Sequence, residues 1–329
     1  MAAHTTTNSL LSVSVRRPLQ FARRLVPAAI IDESDTLDSY GHAPVPTDTP
    51  VMPPGISHRV LKDGKLVEYR LAADTPTMWE ELWRQNPGLP MPERRDIRII
   101  NRWWRDAIVP ALPPTAGPVL EAGCGNGTVM RTFCAAGYDM TGLDFAPRAI
   151  QANSAIHPEG NYIVGDVRDL PLPTASLAGY LSFGVVEHFE RADRVAILRE
   201  AARVVRPGGI VVITVPYFSP MRKLAARLGR FDRKPPDSTP IYQRFFTPYT
   251  LAAELTEHGL DPVSYDAYDV RKGLEDVRAA KYAWTNFSRT GRPRERWCDH
   301  PPSSIRRFAG HMLLMVTRRC SGTAEACAA

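Results

Sequence analysis

Between positions 118 and 216 the chain alternates short apolar runs with stretches whose apolar residues recur at helical spacing. Val119-Leu120, Tyr138–Leu143, Asn161–Gly165, Leu177–Phe183 and Ile210–Val215 read as strands. Thr128–Ala136 and Ala192–Val205 read as helices, the second closed by Arg206-Pro207-Gly208-Gly209. Ile210–Val215 is almost wholly apolar, the pattern of a strand buried on both faces. Thr247–Gly259 predicts a further helix, because Thr247 can cap it, Pro248 suits its first turn and Gly259 can end it. Asp261–Val270 and His311–Arg318 predict strands six and seven. Strands alternating with helices predict an α/β fold: a doubly wound, mostly parallel, seven-stranded sheet with helices on both faces.

Outside this pattern the chain divides by composition. Residues 1–54 read as a flexible leader, since 32–54 is rich in Pro, Thr, Ser and Asp and has no helical period. Residues 55–93 read as an N-terminal extension or lid. It holds a hairpin at Val60–Leu71 turning on Asp63-Gly64, and a short helix at Thr77–Arg84 with Trp79 and Trp83 at i, i+4. A longer helix is expected over Pro92–Val109, with Ile97, Ile100, Trp104 and Ile108 near one face. The main domain is expected at 94–319, with insertions at 217–247 and 271–310, then a flexible tail at 320–329. The first insertion reads as irregular apart from a basic helix at Pro220–Leu228. The second is long for a hairpin, and loops of that length are usually functional or disordered.

Composition changes this picture little. The chain of 329 residues is 44% hydrophobic and carries a net charge of +6, with arginine far in excess of lysine. No nucleic-acid module and no N-P-P-Y or P-C-Q motif is present, which disfavours a nucleic-acid partner. No run is long enough to span a membrane. The five cysteines form no C-x-x-C pair or zinc spacing; Cys124 and Cys134 read as small buried residues, and a reducing compartment is the simplest expectation. Before Asp32 there is no acid, while Arg16, Arg17, Arg23 and Arg24 accompany many Ser and Thr. This resembles a mitochondrial presequence, although a disordered extension on a cytoplasmic protein is the favoured reading and the mitochondrial matrix the alternative.

The chemistry centres on Val119–Gly127, V-L-E-A-G-C-G-N-G. An apolar strand end runs into Glu121, and Gly123, Gly125 and Gly127 then allow a sharp turn and close approach of a ligand. The spacing is G-x-G-x-G, not the G-x-G-x-x-G of dinucleotide enzymes, so an oxidoreductase is disfavoured. A carboxylate beside a pyrophosphate would be repulsive. Glu121 suits a cationic ligand such as S-adenosylmethionine, which carries an ammonium and a sulfonium and no phosphate. Asp144 follows Gly127 by seventeen residues and ends the second strand, where an acid can accept both ribose hydroxyls. Asp166 ends the third, where an acid can accept from an adenine amino group.

These segments resemble the class I S-adenosylmethionine-dependent methyltransferases, a Rossmann-like family. The matching pieces are E-A-G-C-G-N-G (121–127), G-L-D-F-A (142–146), G-D-V-R-D-L-P (165–171), S-F-G-V-V-E-H-F (182–189) and L-R-E-A-A-R-V-V-R-P-G-G (198–209). The resemblance implies that Glu121 and the backbone of Gly123, Gly125 and Gly127 hold the methionine end of the cofactor. It places Asp144 at the ribose, Phe145 and Val167 near the adenine, Asp166 on the adenine amino group, and the main chain of Ser182 and Phe183 near the methyl. Glu187 and His188 are the catalytic candidates. His188 has a pKa near neutrality and could act as a base, or it could orient the loop or touch the cofactor. In some quinone-pathway relatives an acid and histidine cluster here binds a divalent metal, and Glu190 and Asp193 could join one. Acids in a first helical turn also serve the helix dipole, and no metal is expected.

Substrate contacts are expected from the variable segments: Tyr217, Phe218, Tyr242, Arg244, Phe245 and Phe246 after strand five, a lid of Trp79, Trp83, Trp103 and Trp104, and Tyr282, Trp284, Phe287, Trp297, Arg289, Arg292, Arg294 and Arg296 in the late insertion. For any one of them, packing is the competing reading. Together they suggest an aromatic pocket with cationic edges, suited to an acidic or phenolic small molecule. The expected activity is methyl transfer to a small-molecule acceptor, at oxygen first and at nitrogen or carbon as alternatives. The alternatives are a protein or RNA methyltransferase and a catalytically silent binding protein.

Overall fold

The computed structural model describes residues 57–70, 76–85, 88, 90–92, 97–231, 241–274 and 301–321. The leader, the tail and the aromatic and arginine cluster between Tyr282 and Trp297 lie outside the described residues. The chain opens with a hairpin, β1 (Ser57–Lys62) and β2 (Lys65–Arg70), turning on Asp63-Gly64, followed by α1 (Pro76–Gln85). A 3-10 turn (Ile97–Ile99) and α2 (Arg102–Ile108) stand where one helix over 92–109 was expected. Asn101 explains the break. It is non-helical (φ −45, ψ 131), and its side chain accepts the Trp103 N–H at 3.0 Å, capping α2.

The body alternates as its hydrophobic pattern predicts: β3 (Val119–Ala122), α3 (Thr128–Ala135), β4 (Met140–Asp144), α4 (Pro147–Ile156), β5 (Asn161–Val164), β6 (Leu177–Phe183), α5 (Arg191–Val204) and β7 (Val205–Pro216). Then come α6 (Pro220–Arg227), β8 (Ile241–Arg244), α7 (Pro248–Thr256), β9 (Leu260–Tyr268), α8 (Val270–Gly273), α9 (Ser303–Ala309) and β10 (Met312–Arg319). Seven strands form one sheet in the order β5-β4-β3-β6-β7-β10-β9. The first five are parallel, and β10 runs antiparallel between β7 and β9.

Period-two alternation sends the two sets of strand side chains into separate cores. Leu120, Tyr180, Val211 and Ile213 pack with Ile197, Leu198 and Ala201 of α5 and Leu251 and Leu255 of α7. Val119, Leu181, Ile210 and Val212 pack with Met130 and Phe133 of α3 and Ile108 of α2. Glu121 shares the parity of Val119, so its side chain is sent to the α3 face.

Two details differ from the sequence pattern. Arg206–Gly209, expected as a closing turn, belongs to β7, whose Val205 pairs with Leu177 before a register shift reaches Ile210 opposite Gly179; Gly208 takes φ +77 in the bulge. The insertion after β7 is not wholly irregular either. β8 pairs with β2, giving a second sheet β1-β2-β8. Buried Glu68 of β2 is held from both sides, by Arg59 Nε at 3.0 Å and Gln243 Nε2 at 3.1 Å. No helix among the described residues is long and apolar enough to cross a membrane. Cys124, Cys134 and Cys320 are free thiols, and Cys124 is buried.

Arg222, fully buried, locks α6 to the start of β10. It donates to the Tyr217 and His311 carbonyls at 2.6 and 3.0 Å and to His311 Nδ1 at 2.6 Å. A guanidinium only donates, so His311 Nδ1 accepts and the ring is neutral. Burial, with Arg222, Lys272 and Arg59 nearby, holds the His311 pKa well below its ordinary value. The unfolded chain therefore takes up a proton near pH 6.5 that the folded chain refuses, and stability falls as pH drops below that point, by up to about 1.4 kcal/mol per unit. Thermal melts at pH 7.5 and 5.5 should show a smaller loss for His311→Asn, which keeps an acceptor and removes the titration, than for the native chain.

Candidate functional site

The glycine turn leaves β3 over the end of β4 and enters α3. Gly123, Gly125 and Gly127 have φ of +76, +47 and +67, where other residues are strained. Space excludes side chains as well. A Cβ on Gly123 would lie 2.5 Å from Val185, one on Gly125 2.7 Å from the Trp83 ring, and one on Gly127 2.5 Å from Asn153 Oδ1. The N–H groups of the turn are spent internally: Gly123 and Cys124 donate to Leu143 O at 2.7 and 2.9 Å, Gly125 to Asp144 Oδ2 at 2.8 Å, and Gly127 to Cys124 O at 2.7 Å. These four N–H groups are not available to a phosphate.

Two carboxylates lie under and beside it. Glu121 is 3% exposed, accepts the Met130 N–H in the first turn of α3, and has its Oε2 buried without a partner among the described residues. Burial, together with the charge of Asp144, pushes its pKa up to about 8. Asp144 is equally buried, and its oxygens accept from Gly125 and, at 3.0 Å, from Ala146. Desolvation raises its pKa, outweighing those two bonds. Behind both stands Arg131 of α3, which sequence reasoning missed. Its side chain is wholly buried, donating to Asn153 Oδ1 at 2.8 Å and Asn126 O at 2.7 Å, and Asn153 in turn donates to Gly125 O at 2.9 Å.

Asp166 is not gathered into this group. Its exposed carboxylate takes the Arg168 guanidinium at 2.6 to 3.0 Å, a pairing that lowers its pKa, and Arg168 continues to Asp193 at 3.1 Å. Val167 beside it is buried in the core, and Phe145 stands 41% exposed at the end of β4. Ser182, fully buried, and Phe183 end β6.

A 3-10 turn, Val186–His188, follows and carries Glu187, which is 2% exposed. His188 Nδ1 lies 2.7 Å from the Tyr242 carbonyl. A carbonyl only accepts, so Nδ1 bears the proton, and Nε2 faces Glu187 Oε1 at 4.0 Å. Trp79 packs edge-on to His188 with centroids 5.0 Å apart, lies 6.5 Å from Tyr242 and stacks on Trp83 at 5.8 Å. The four residues thus form one aromatic wall reaching Gly125. A second wall, Phe183, Trp104, Trp103 and Tyr268, lies at the same carboxyl edge. Tyr268 went unnoticed in the sequence; burial raises its hydroxyl pKa, and Glu187 lies near enough to add to the effect.

The other expected contacts among the described residues are packed or paired within the fold. Phe218 and Phe245 pack around Leu66, while Tyr217 and Phe246 belong to the main core. Arg244 donates to Phe189 O and pairs with Glu190. Glu190 and Asp193 are therefore engaged by arginines, and among the described residues no group of three or more His, Cys, Asp or Glu is placed to hold a metal.

A family profile described as a methyltransferase domain matches residues 120–213, which span the glycine turn, both buried acids and the Glu187-His188 turn. This segment matches a methyltransferase domain, and its relatives bear the names of S-adenosylmethionine-dependent enzymes. Over 134 residues the chain is 32% identical to a Mycobacterium tuberculosis protein named a probable S-adenosylmethionine-dependent methyltransferase, covering 39% of this chain and 48% of that one. It is 28% identical over 217 residues to a ubiquinone biosynthesis O-methyltransferase of Xanthomonas axonopodis pv. citri, covering 58% and 84%. The match spans about half the length of the mycobacterial relatives. The solved structure of a Burkholderia thailandensis 1,6-didemethyltoxoflavin-N1-methyltransferase is 17% identical with a TM-score of 0.45, covering 80% of this chain and 99% of that one, a likeness too distant to carry weight.

The methyltransferase domain fits the class cofactor on its own residues. A buried carboxylate oxygen lacks a donor, and the N–H groups of Gly123, Cys124, Gly125 and Gly127 above it are already engaged. The glycines make a separate prediction. Gly127→Ala sets a positive φ and a Cβ overlapping Asn153 and Arg131, whereas Gly208→Ala sets a similar φ in open space. Chemical denaturation should show Gly208→Ala losing about 1 kcal/mol and Gly127→Ala at least about 2 kcal/mol. Equal losses would mean that the Asn153 and Arg131 clamp does not confine the turn.

Proposed function

We propose that this domain transfers the methyl group of S-adenosylmethionine to the oxygen of a small-molecule acceptor. The observation that carries the cofactor half is Glu121 Oε2, buried and unsatisfied beneath a turn whose glycine N–H groups are bonded within the fold. Leaving such an oxygen without a donor costs a few kcal/mol, which a bound ammonium removes. The acceptor half is supported by the O-methyltransferase names of relatives, one of them a malonyl-[acyl-carrier protein] O-methyltransferase of Serratia marcescens, 34% identical over 96 residues.

In this reading Glu121, with the backbone of Gly123, Gly125 and Gly127, holds the methionine end. The Asp144 carboxylate accepts backbone N–H groups from Gly125, Ala146 and Phe145 and keeps acceptor capacity for a ribose hydroxyl. The exposed ring of Phe145 and the main chain of Val167 flank the adenine, and Asp166 reaches its amino group on releasing Arg168. The backbone of Ser182 and Phe183 borders the reacting carbon. The cofactor supplies an activated methyl group with a built-in leaving group. What the chain must add is alignment and, for a hydroxyl acceptor, a place for the proton. His188 Nε2 can receive it, with Nδ1–H held by Tyr242 O and Glu187 4.0 Å away to stabilise the imidazolium.

Two measurements test this. In the free protein Glu121 carries a proton up to about pH 8, and a cationic ligand favours its loss. Calorimetry should therefore show S-adenosylmethionine affinity rising with pH from 6 to 7.5, by at most about tenfold per unit, and Glu121→Gln should weaken binding and abolish the slope. Failure of the native chain to bind would remove the cofactor reading. For His188→Ala, methyl transfer should fall by about 10²-fold or more near neutrality and recover as rising pH ionises the acceptor. An unchanged rate and profile would leave His188 a support for the loop.

A further inference from the structure

Helix α1 presents two different faces. Outward, Glu81 takes Arg84 at 2.5 and 2.7 Å and Gln85 at 2.6 Å. Inward, within about 100° of arc, lie Trp79, Glu80 and Trp83. Trp83 seats this face against Gly125, whose N–H is the one bound by Asp144 Oδ2. Glu80 Oε2 is buried there and has no hydrogen-bond partner among the described residues. Its charge acts on Asp144, whereas the charges acting on Glu121 come from Asp144 and Arg131. Glu80 therefore lies near Asp144, on the helix face that Trp83 seats against Gly125.

Two acids close enough for one charge to act on the other, one with a buried oxygen lacking a partner and one with acceptor capacity to spare, form an arrangement of acceptors lacking donors. We propose that Glu80 is a cofactor-positioning residue that shares the ribose diol with Asp144, delivered onto the site by α1. A vicinal diol supplies two O–H donors, one for each carboxylate, and it brings no charge that would leave one acid unpaired. This rests on the cofactor reading above and extends it to a residue outside the 120–213 segment.

The test uses the full chain with S-adenosylhomocysteine and its 2′,3′-dideoxy analogue, measured by calorimetry, with circular dichroism and melting as controls for folding. Glu80→Ala should weaken S-adenosylhomocysteine by about ten- to thirtyfold and the dideoxy analogue by less than twofold. Glu80→Gln, which keeps an acceptor oxygen, should fall between Glu80→Ala and the native chain. Binding of S-adenosylhomocysteine unchanged in Glu80→Ala, or an equal loss for both ligands, would overturn the assignment while leaving the cofactor reading intact. No binding of either ligand by the native chain would overturn both.

Discussion

One buried guanidinium sets the shape of the carboxyl edge of this sheet. Arg131 sits where α3 leaves the glycine turn, and with Asn153 it ties the Gly125 and Asn126 carbonyls to α4. A fully buried charge is costly unless its donors are met. The Asn126 carbonyl and Asn153 amide oxygens accept from this one, and its charge reaches Glu121 and Tyr162. The positions of Gly125, Asp144 and Glu121 thus follow from one network, and the left-handed glycines are what let the backbone close around it.

The strands were legible because buried parallel strands are written as apolar runs, and five of them occur in order. The turn and its acids were legible because glycine at alternate positions and an acid at a strand end each have few structural uses. Arg131 was hidden because an arginine on a helix is ordinarily a solvated residue, and nothing local marks this one as inward. Tyr268 and β8 were hidden for another reason: their partners, the α2 tryptophans and the β2 hairpin strand, lie more than 150 residues away in sequence. Asp166 was legible as an acid after a strand, whereas its pairing was not: Arg168 follows two residues on in the turn after β5 and takes the carboxylate.

The division of labour around the edge follows from these placements. Charges on the α5 side are neutralised in pairs, Arg168 with Asp166 and Asp193, and Arg244 with Glu190. Charges beneath the turn are left with unmet acceptors. Aromatic rings from α1, α2, β8 and β9 surround the rest. An edge with paired charges at its rim and unmet acceptors at its floor excludes water from the second region more than from the first.

The bond between His188 and Tyr242 divides one residue between two tasks. The histidine takes its tautomer from a main-chain carbonyl of β8, and any residue at position 242 supplies that carbonyl. The ring of Tyr242, buried against His188 and Trp79, instead fills the wall. The imidazole proton is thus placed by the path of a strand, and the surface beside it by the identity of a side chain.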